Sequence, residues 1–104
     1  MTRRVRWSRD ALDDLKAQVG WIAADSPVAA RRVAEAVRAS AEALAQRPTG
    51  RPGRVPGTYE KSVSGLPYVI AYALREQGGE QAVAILRVIH TARDWPRGAW
   101  PREK

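Results

Sequence analysis

The 104-residue chain has no cysteine and a single histidine, His90. The first absence removes disulfides and thiolate metal ligands, which suits a reducing compartment, so a cytoplasmic location is expected. The second argues against zinc, whose ligands are mostly cysteine and histidine, and no metal or other cofactor is expected. No stretch approaches the ~18 consecutive apolar residues that a membrane-spanning helix requires. Nor does Met1-Thr2-Arg3-Arg4-Val5 open on an apolar segment of the signal-peptide kind; it leads straight into a strand pattern. Lysine is scarce as well. Only Lys16, Lys61 and Lys104 occur, so most of the 18 cationic residues are arginine, against 11 acids and for a formal net charge of +7.

An arginine surplus has more than one reading. The planar guanidinium matches phosphate or carboxylate, which fits nucleic acid or an acidic protein partner. A GC-rich coding genome produces the same composition with no binding role. Charge alone does not choose between them. The length allows one small domain, taken as 1–104 with a core of about 4–96 and a tail over 97–104.

Arg4-Val5-Arg6-Trp7 alternates polar and apolar residues, as a short half-buried strand does. Ser8 then caps a helix over about 9–24, with Asp10 in its first turn and Leu12, Leu15, Val19 and Ile22 as its apolar stripe. Asp25-Ser26-Pro27 is the clearest punctuation: Ser26 caps a second helix and Pro27 occupies its first position, where a missing N–H costs nothing. That helix runs to about Gln46 and buries Ala30, Val33, Val37, Ala41 and Leu44. The short link makes the two a helical hairpin.

Prolines 48, 52 and 56 and glycines 50, 53 and 57 exclude regular structure over 47–57, and Arg47, Arg51 and Arg54 make that loop a basic lip. It is either a solvated connector or a contact for an acidic partner or phosphate. A strand around Tyr59–Val63 follows, then Ser64-Gly65-Leu66-Pro67 turns the chain into two apolar runs, 68–74 and 82–90. Gln77-Gly78-Gly79-Glu80 between the runs is a hairpin signal. Arg87 lies inside the second run and needs a partner, for which Glu60 is the first candidate.

Trp7-Ser8, Asp25-Ser26-Pro27, the 50–60 segment, Pro67-Tyr68-Val69-Ile70-Ala71-Tyr72 and the closing Arg87-Val88-Ile89-His90-Thr91-Ala92-Arg93-Asp94-Trp95-Pro96 occur in this order over nearly the whole chain. Together they resemble the RelE/ParE superfamily of bacterial type II toxins, the ParE branch more than the RelE branch. The resemblance implies an α+β domain: a strand, a helical hairpin, then a three-stranded antiparallel meander, with the first strand completing a four-stranded sheet. It implies a toxin that inhibits DNA gyrase and blocks replication, neutralised by an acidic antitoxin in a hetero-oligomer. Two alternatives stay open: a ribosome-dependent mRNA endoribonuclease of RelE type, and an inactive module kept only for antitoxin pairing.

The ribonuclease reading has requirements that the residues test. RNA cleavage needs groups that activate the 2′-hydroxyl, stabilise the phosphorane and protonate the leaving oxygen. RelE-like enzymes keep an arginine directly after the aromatic of the penultimate strand, where this chain has Val69, and a tyrosine in the tail, which this chain lacks. Glu60, Lys61, His90 and Arg93 are the remaining catalytic candidates, with His90 otherwise a strand-end residue bonded locally. Trp95 and Trp100 in the tail either pack back on the sheet or join Arg93 and the basic loop in binding a partner.

Overall fold

The structure is a computed structural model that describes residues 3–92. Strand β1 (Arg4–Trp7) leads into helices α1 (Arg9–Ala23) and α2 (Pro27–Gln46). Strands β2 (Arg51–Pro52), β3 (Tyr59–Ser62), β4 (Tyr68–Gln77) and β5 (Glu80–His90) follow. The caps are those the sequence dictates: the Ser8 side chain accepts from the Ala11 N–H and Ser26 from the Ala29 N–H. Each satisfies a backbone donor that the first helical turn cannot bond internally.

The sheet has the order β1-β5-β4-β3-β2, with β1 parallel to β5 and every other pair antiparallel. It is therefore a five-stranded mixed sheet, one strand more than the four expected. The added strand is β2, inside the loop that proline and glycine should have kept irregular. Gly50 makes it feasible: at φ +125° its Cα comes so close to β3 that a Cβ would lie 2.5 Å from the Glu60 carbonyl oxygen. Pro52 sits in this edge strand, where a missing N–H is tolerated.

Both helices cover one face of the sheet. Val33, Val37, Ala41 and Leu44 of α2 meet Ile70 and Tyr72 of β4 and Val83, Ile85 and Val88 of β5. The α1 stripe is rotated from the expectation: Ala11 and Leu15 are buried and Leu12 is 47% exposed. On the sheet's other face Ala71 and Ile89 pack with Val55 of the basic loop. The β4–β5 hairpin closes through Gly78 (φ 58°) and Gly79 (φ 81°), the two left-handed residues that a tight two-residue turn demands.

Candidate functional site

Arg87 lies beside an irregularity in the β4–β5 ladder. Ala71 pairs with Arg87 but Tyr72 with Ile85, which leaves Leu86 as an extra residue. Strand β1 ends opposite Ile85, and the start of α1 takes over the outer edge of β5 from there. The Ser8 N–H donates to the Ile85 carbonyl at 2.9 Å and the Ser8 hydroxyl to Leu86 at 3.0 Å. Asp14 then accepts Arg87 through Nε at 2.7 Å and Nη2 at 2.9 Å, and the Val88 N–H at 2.9 Å. Arg87 is thus an ion-pair member, but the expected pairing with Glu60 is corrected: its carboxylate is Asp14. Glu60 is on β3 and Arg87 on β5 with Ala71 of β4 between them, so about 10 Å of sheet separates the two backbones.

Glu60 serves the basic loop instead. It is 4% exposed. It accepts Arg51 Nη2 at 3.2 Å and the Arg54 N–H at 3.0 Å, with Arg54 Nε at 4.0 Å. Further bonds fix the same loop: Gly53 N–H to Thr58 O at 2.8 Å, Thr58 hydroxyl to Val55 O at 2.6 Å, and Lys61 Nζ to Thr49 Oγ1 at 2.9 Å. The Tyr72 hydroxyl donates to the Thr49 carbonyl at 2.6 Å. Burial, with Tyr59 nearby, raises the Tyr72 pKa above the ordinary tyrosine value, an effect that Arg3 opposes. The loop is a built structure rather than a slack connector, yet Arg47, Arg51 and Arg54 all remain exposed at its surface.

Among the described residues the catalytic candidates Glu60, Lys61 and His90 do not converge. His90 pairs with Tyr68 on the helix-covered face, its ring edge-on to Tyr68 with centroids 5.3 Å apart. Its Nδ1 accepts the Ala92 N–H at 3.2 Å, the local bonding expected of a strand-end histidine. Glu60 points to the opposite face with Ala71, because side chains alternate along a strand. Lys61 alternates onto the helix-covered face with Ile70 and is bonded to Thr49. Val69, where RelE-like enzymes hold an arginine, is 3% exposed. Arg93, Trp95 and Trp100 lie outside the described residues. Among the described residues no group of three or more His, Asp or Glu is placed to hold a metal ion. No helix among them is long and apolar enough to cross a membrane.

Two surface features escaped the sequence. Exposed large apolar side chains lie singly on the helical layer, Leu12, Trp21 (64% exposed) and Val28 (68% exposed), with Tyr59 on β3 the remaining one described. Charge is divided between the layers as well. Residues 9–46 hold Arg9, Lys16, Arg31, Arg32 and Arg38 against Asp10, Asp13, Asp14, Asp25, Glu35 and Glu42. The described strands and loops hold Arg3, Arg4, Arg6, Arg47, Arg51, Arg54, Lys61, Arg75 and Arg87 against only Glu60, Glu76 and Glu80. The helical layer is near neutral and the sheet side carries the surplus.

This fold, a helical hairpin on a mixed sheet, belongs with the type II toxins, and the chain is a member of the ParE toxin family. The family model described as ParE toxin of type II toxin-antitoxin system, parDE, matches residues 5–95. The chain is 36% identical over 96 residues to "Putative toxin Y4kP" of Sinorhizobium fredii (strain NBRC 101917 / NGR234), covering 91% of this chain and 95% of that protein. Among solved structures it is similar to the chromosomal ParDE TA system from P. aeruginosa, with TM-score 0.73, 22% identity, and 84% of this chain and 94% of that one covered. It is also similar to the YoeB/ParE toxin from Agrobacterium tumefaciens, with TM-score 0.56, 16% identity, and 82% and 94% covered. At those identities the two structures speak to the fold.

Proposed function

We propose that this toxin arrests replication by acting on DNA gyrase in the cytoplasm, without cleaving RNA, and that a cognate acidic antitoxin neutralises it. The observation that carries the choice is the separation of Glu60 and His90 onto opposite faces of the sheet. An acid and a base on opposite faces cannot act together on one scissile phosphate. Val69 buried at the expected arginine position removes a cation from the phosphorane as well. Losing one such stabilising group typically costs about 2.7–4 kcal/mol of barrier, and with the tail tyrosine of RelE-like enzymes missing too, the two losses leave cleavage near background.

The antitoxin part of the reading is supported by exposed apolar anchors on the helical hairpin, Leu12, Trp21 and Val28, of the kind that nucleate protein interfaces. The basic loop with Arg47, Arg51 and Arg54 supplies a charged rim that would speed association with an acidic chain. The deciding experiment adds purified toxin to gyrase supercoiling assays and to ribosomes programmed with mRNA. Inhibited supercoiling with accumulation of cleaved DNA, and intact mRNA, is the expected result. Codon-specific mRNA cuts with unaffected gyrase overturn the proposal.

A further inference from the structure

We propose that the helix-free face of the sheet, at the end nearest the β4–β5 turn, binds the phosphate backbone of duplex DNA. Three arginines frame it. In the ladder Arg4 of β1 lies beside Ala82 of β5, which lies beside Arg75 of β4. The next row on the same face is Arg6, Ala84 and Ala73. Val5, Val83 and Leu74, the residues between, point into the helix-covered core, which fixes the arginines on the outer side. Strand spacing sets Arg4 and Arg75 about 10 Å apart across the sheet, and Arg4 and Arg6 about 6.6 Å apart along the strand. Arg4, Arg6 and Arg75 are all exposed, and Arg4 and Arg6 line an open cleft of about 370 Å³ with Glu80 and Gln81.

What the face carries and what it omits together select the ligand. Its floor is Ala73, Ala82 and Ala84, of which Ala73 and Ala82 are buried, so the exposed arginines are what a ligand meets first. Among the described residues it has no large apolar anchor: Leu12, Trp21, Val28 and Tyr59 all lie elsewhere. A protein partner draws most of its binding energy from such anchors, whereas a phosphodiester backbone asks only for correctly spaced cations. The aromatic side chains also avoid this face among the described residues. Trp7, Tyr68 and Tyr72 pack in the helix-covered core and Tyr59 stacks on Tyr72. Single-stranded nucleic acid is held largely by base stacking on aromatic rings, so an arginine frame without rings suits a duplex. The single acid in the frame among the described residues, Glu80, is 4.0 Å from Arg4, with both side chains exposed, a pairing that phosphate can displace.

The inference rests on the charge map and not on the gyrase reading, and its test contains no gyrase, so the two fail separately. Purified full-length toxin is titrated into a fluorescein-labelled 20-base-pair duplex of arbitrary sequence, and anisotropy is followed from low to physiological salt. Binding in the range of about 10⁻⁴–10⁻⁶ M is expected, with a logarithmic salt slope near −3 for three phosphate contacts. The Arg4→Ala/Arg6→Ala/Arg75→Ala variant, checked for folding by circular dichroism, should weaken binding about tenfold or more and flatten the slope by nearly three. A control variant, Arg31→Ala/Arg32→Ala/Arg38→Ala, removes the same charge from the helical layer and should leave the slope within one unit of the unmodified protein. Equal losses in both variants would reduce the effect to net charge and overturn the proposal. Tighter binding to a single-stranded oligonucleotide of the same length overturns it too, as does a sheet-face variant that still binds duplex but no longer co-purifies with its antitoxin.

Discussion

Arg87 and Asp14 join the last strand to the first helix by two parallel N–H to oxygen bonds, 2.7 and 2.9 Å, and the same carboxylate accepts the Val88 N–H. Bidentate, partly buried pairs of this kind are stronger than surface ion pairs. Asp14 holds three donors, so Asp14→Ala should cost about 2–3 kcal/mol and Arg87→Ala somewhat less, since it leaves the Val88 bond intact. A urea-denaturation cycle on the two residues should return a coupling of about 1–2 kcal/mol. The parallel cycle on Glu60 and Arg87 should be additive within about 0.5 kcal/mol. A large Glu60–Arg87 coupling would mean that the two carboxylates share the guanidinium.

Glu60 makes the second prediction, through the loop it gathers. Glu60→Ala leaves the Arg54 N–H and the Arg51 guanidinium without their buried acceptor, for an expected loss of about 2–3 kcal/mol. The loss should be local before it is global. Limited trypsinolysis should cut the variant after Arg54 under conditions where the parent resists, the bond after Arg51 being blocked by Pro52. Gly50→Ala should open the same loop by a different route, because its Cβ would collide with the Glu60 carbonyl oxygen and its φ of +125° suits glycine. Unchanged cleavage in both variants would show that the loop is held elsewhere.

The sequence announced the helices, the caps and the β4–β5 hairpin because each is a local matter of period, cap and turn. Ser8, Ser26 and the Gly78-Gly79 turn each satisfy neighbours within a few positions. What stayed hidden is long-range. Asp14 and Arg87 are 73 positions apart, and two adjacent acids on a helix give no sign that one of them reaches a strand edge. Arg87 visibly needed a carboxylate; the choice between Asp14 and Glu60 depended on strand order, which puts β4 between β3 and β5. The same order decides the site. Glu60 and His90 looked like neighbours in a list of polar residues, and only register and alternation assign them to opposite faces. Strand β2 was masked because proline and glycine normally end strands, and one glycine pressed against a carbonyl reversed that rule.

Tyr72 gives a pH dependence. Its folded pKa is raised by burial above the unfolded value of about 10, so between the two values the unfolded chain has lost a proton that the native chain keeps. Stability from this group is therefore complete below about pH 10 and declines as pH rises through the folded value. Chemical denaturation from pH 8 upward should show that decline, and Tyr72→Phe should flatten it while costing about 1 kcal/mol at neutral pH for the lost bond to Thr49. A profile unchanged by the substitution would assign the alkaline loss to another group.

His90 supplies the sharpest test of mechanism, because it is the chain's single histidine and imidazole is the side chain most often used as a general acid or base. In the structure its Nδ1 is occupied by the Ala92 N–H and its ring by the edge contact to Tyr68. Both interactions are structural, so His90→Ala should lower stability by about 1 kcal/mol. The variant should still inhibit gyrase supercoiling to within about threefold of the parent, a change smaller than the factor of 10² or more expected on removing a general acid or base. Val69→Arg asks the converse question: the cation is returned to the position where RelE-like enzymes keep it, but on a buried site facing away from His90. It should destabilise the protein and confer no mRNA cleavage on programmed ribosomes. Cleavage gained by Val69→Arg and abolished by adding His90→Ala would establish a latent ribonuclease site and displace the gyrase reading.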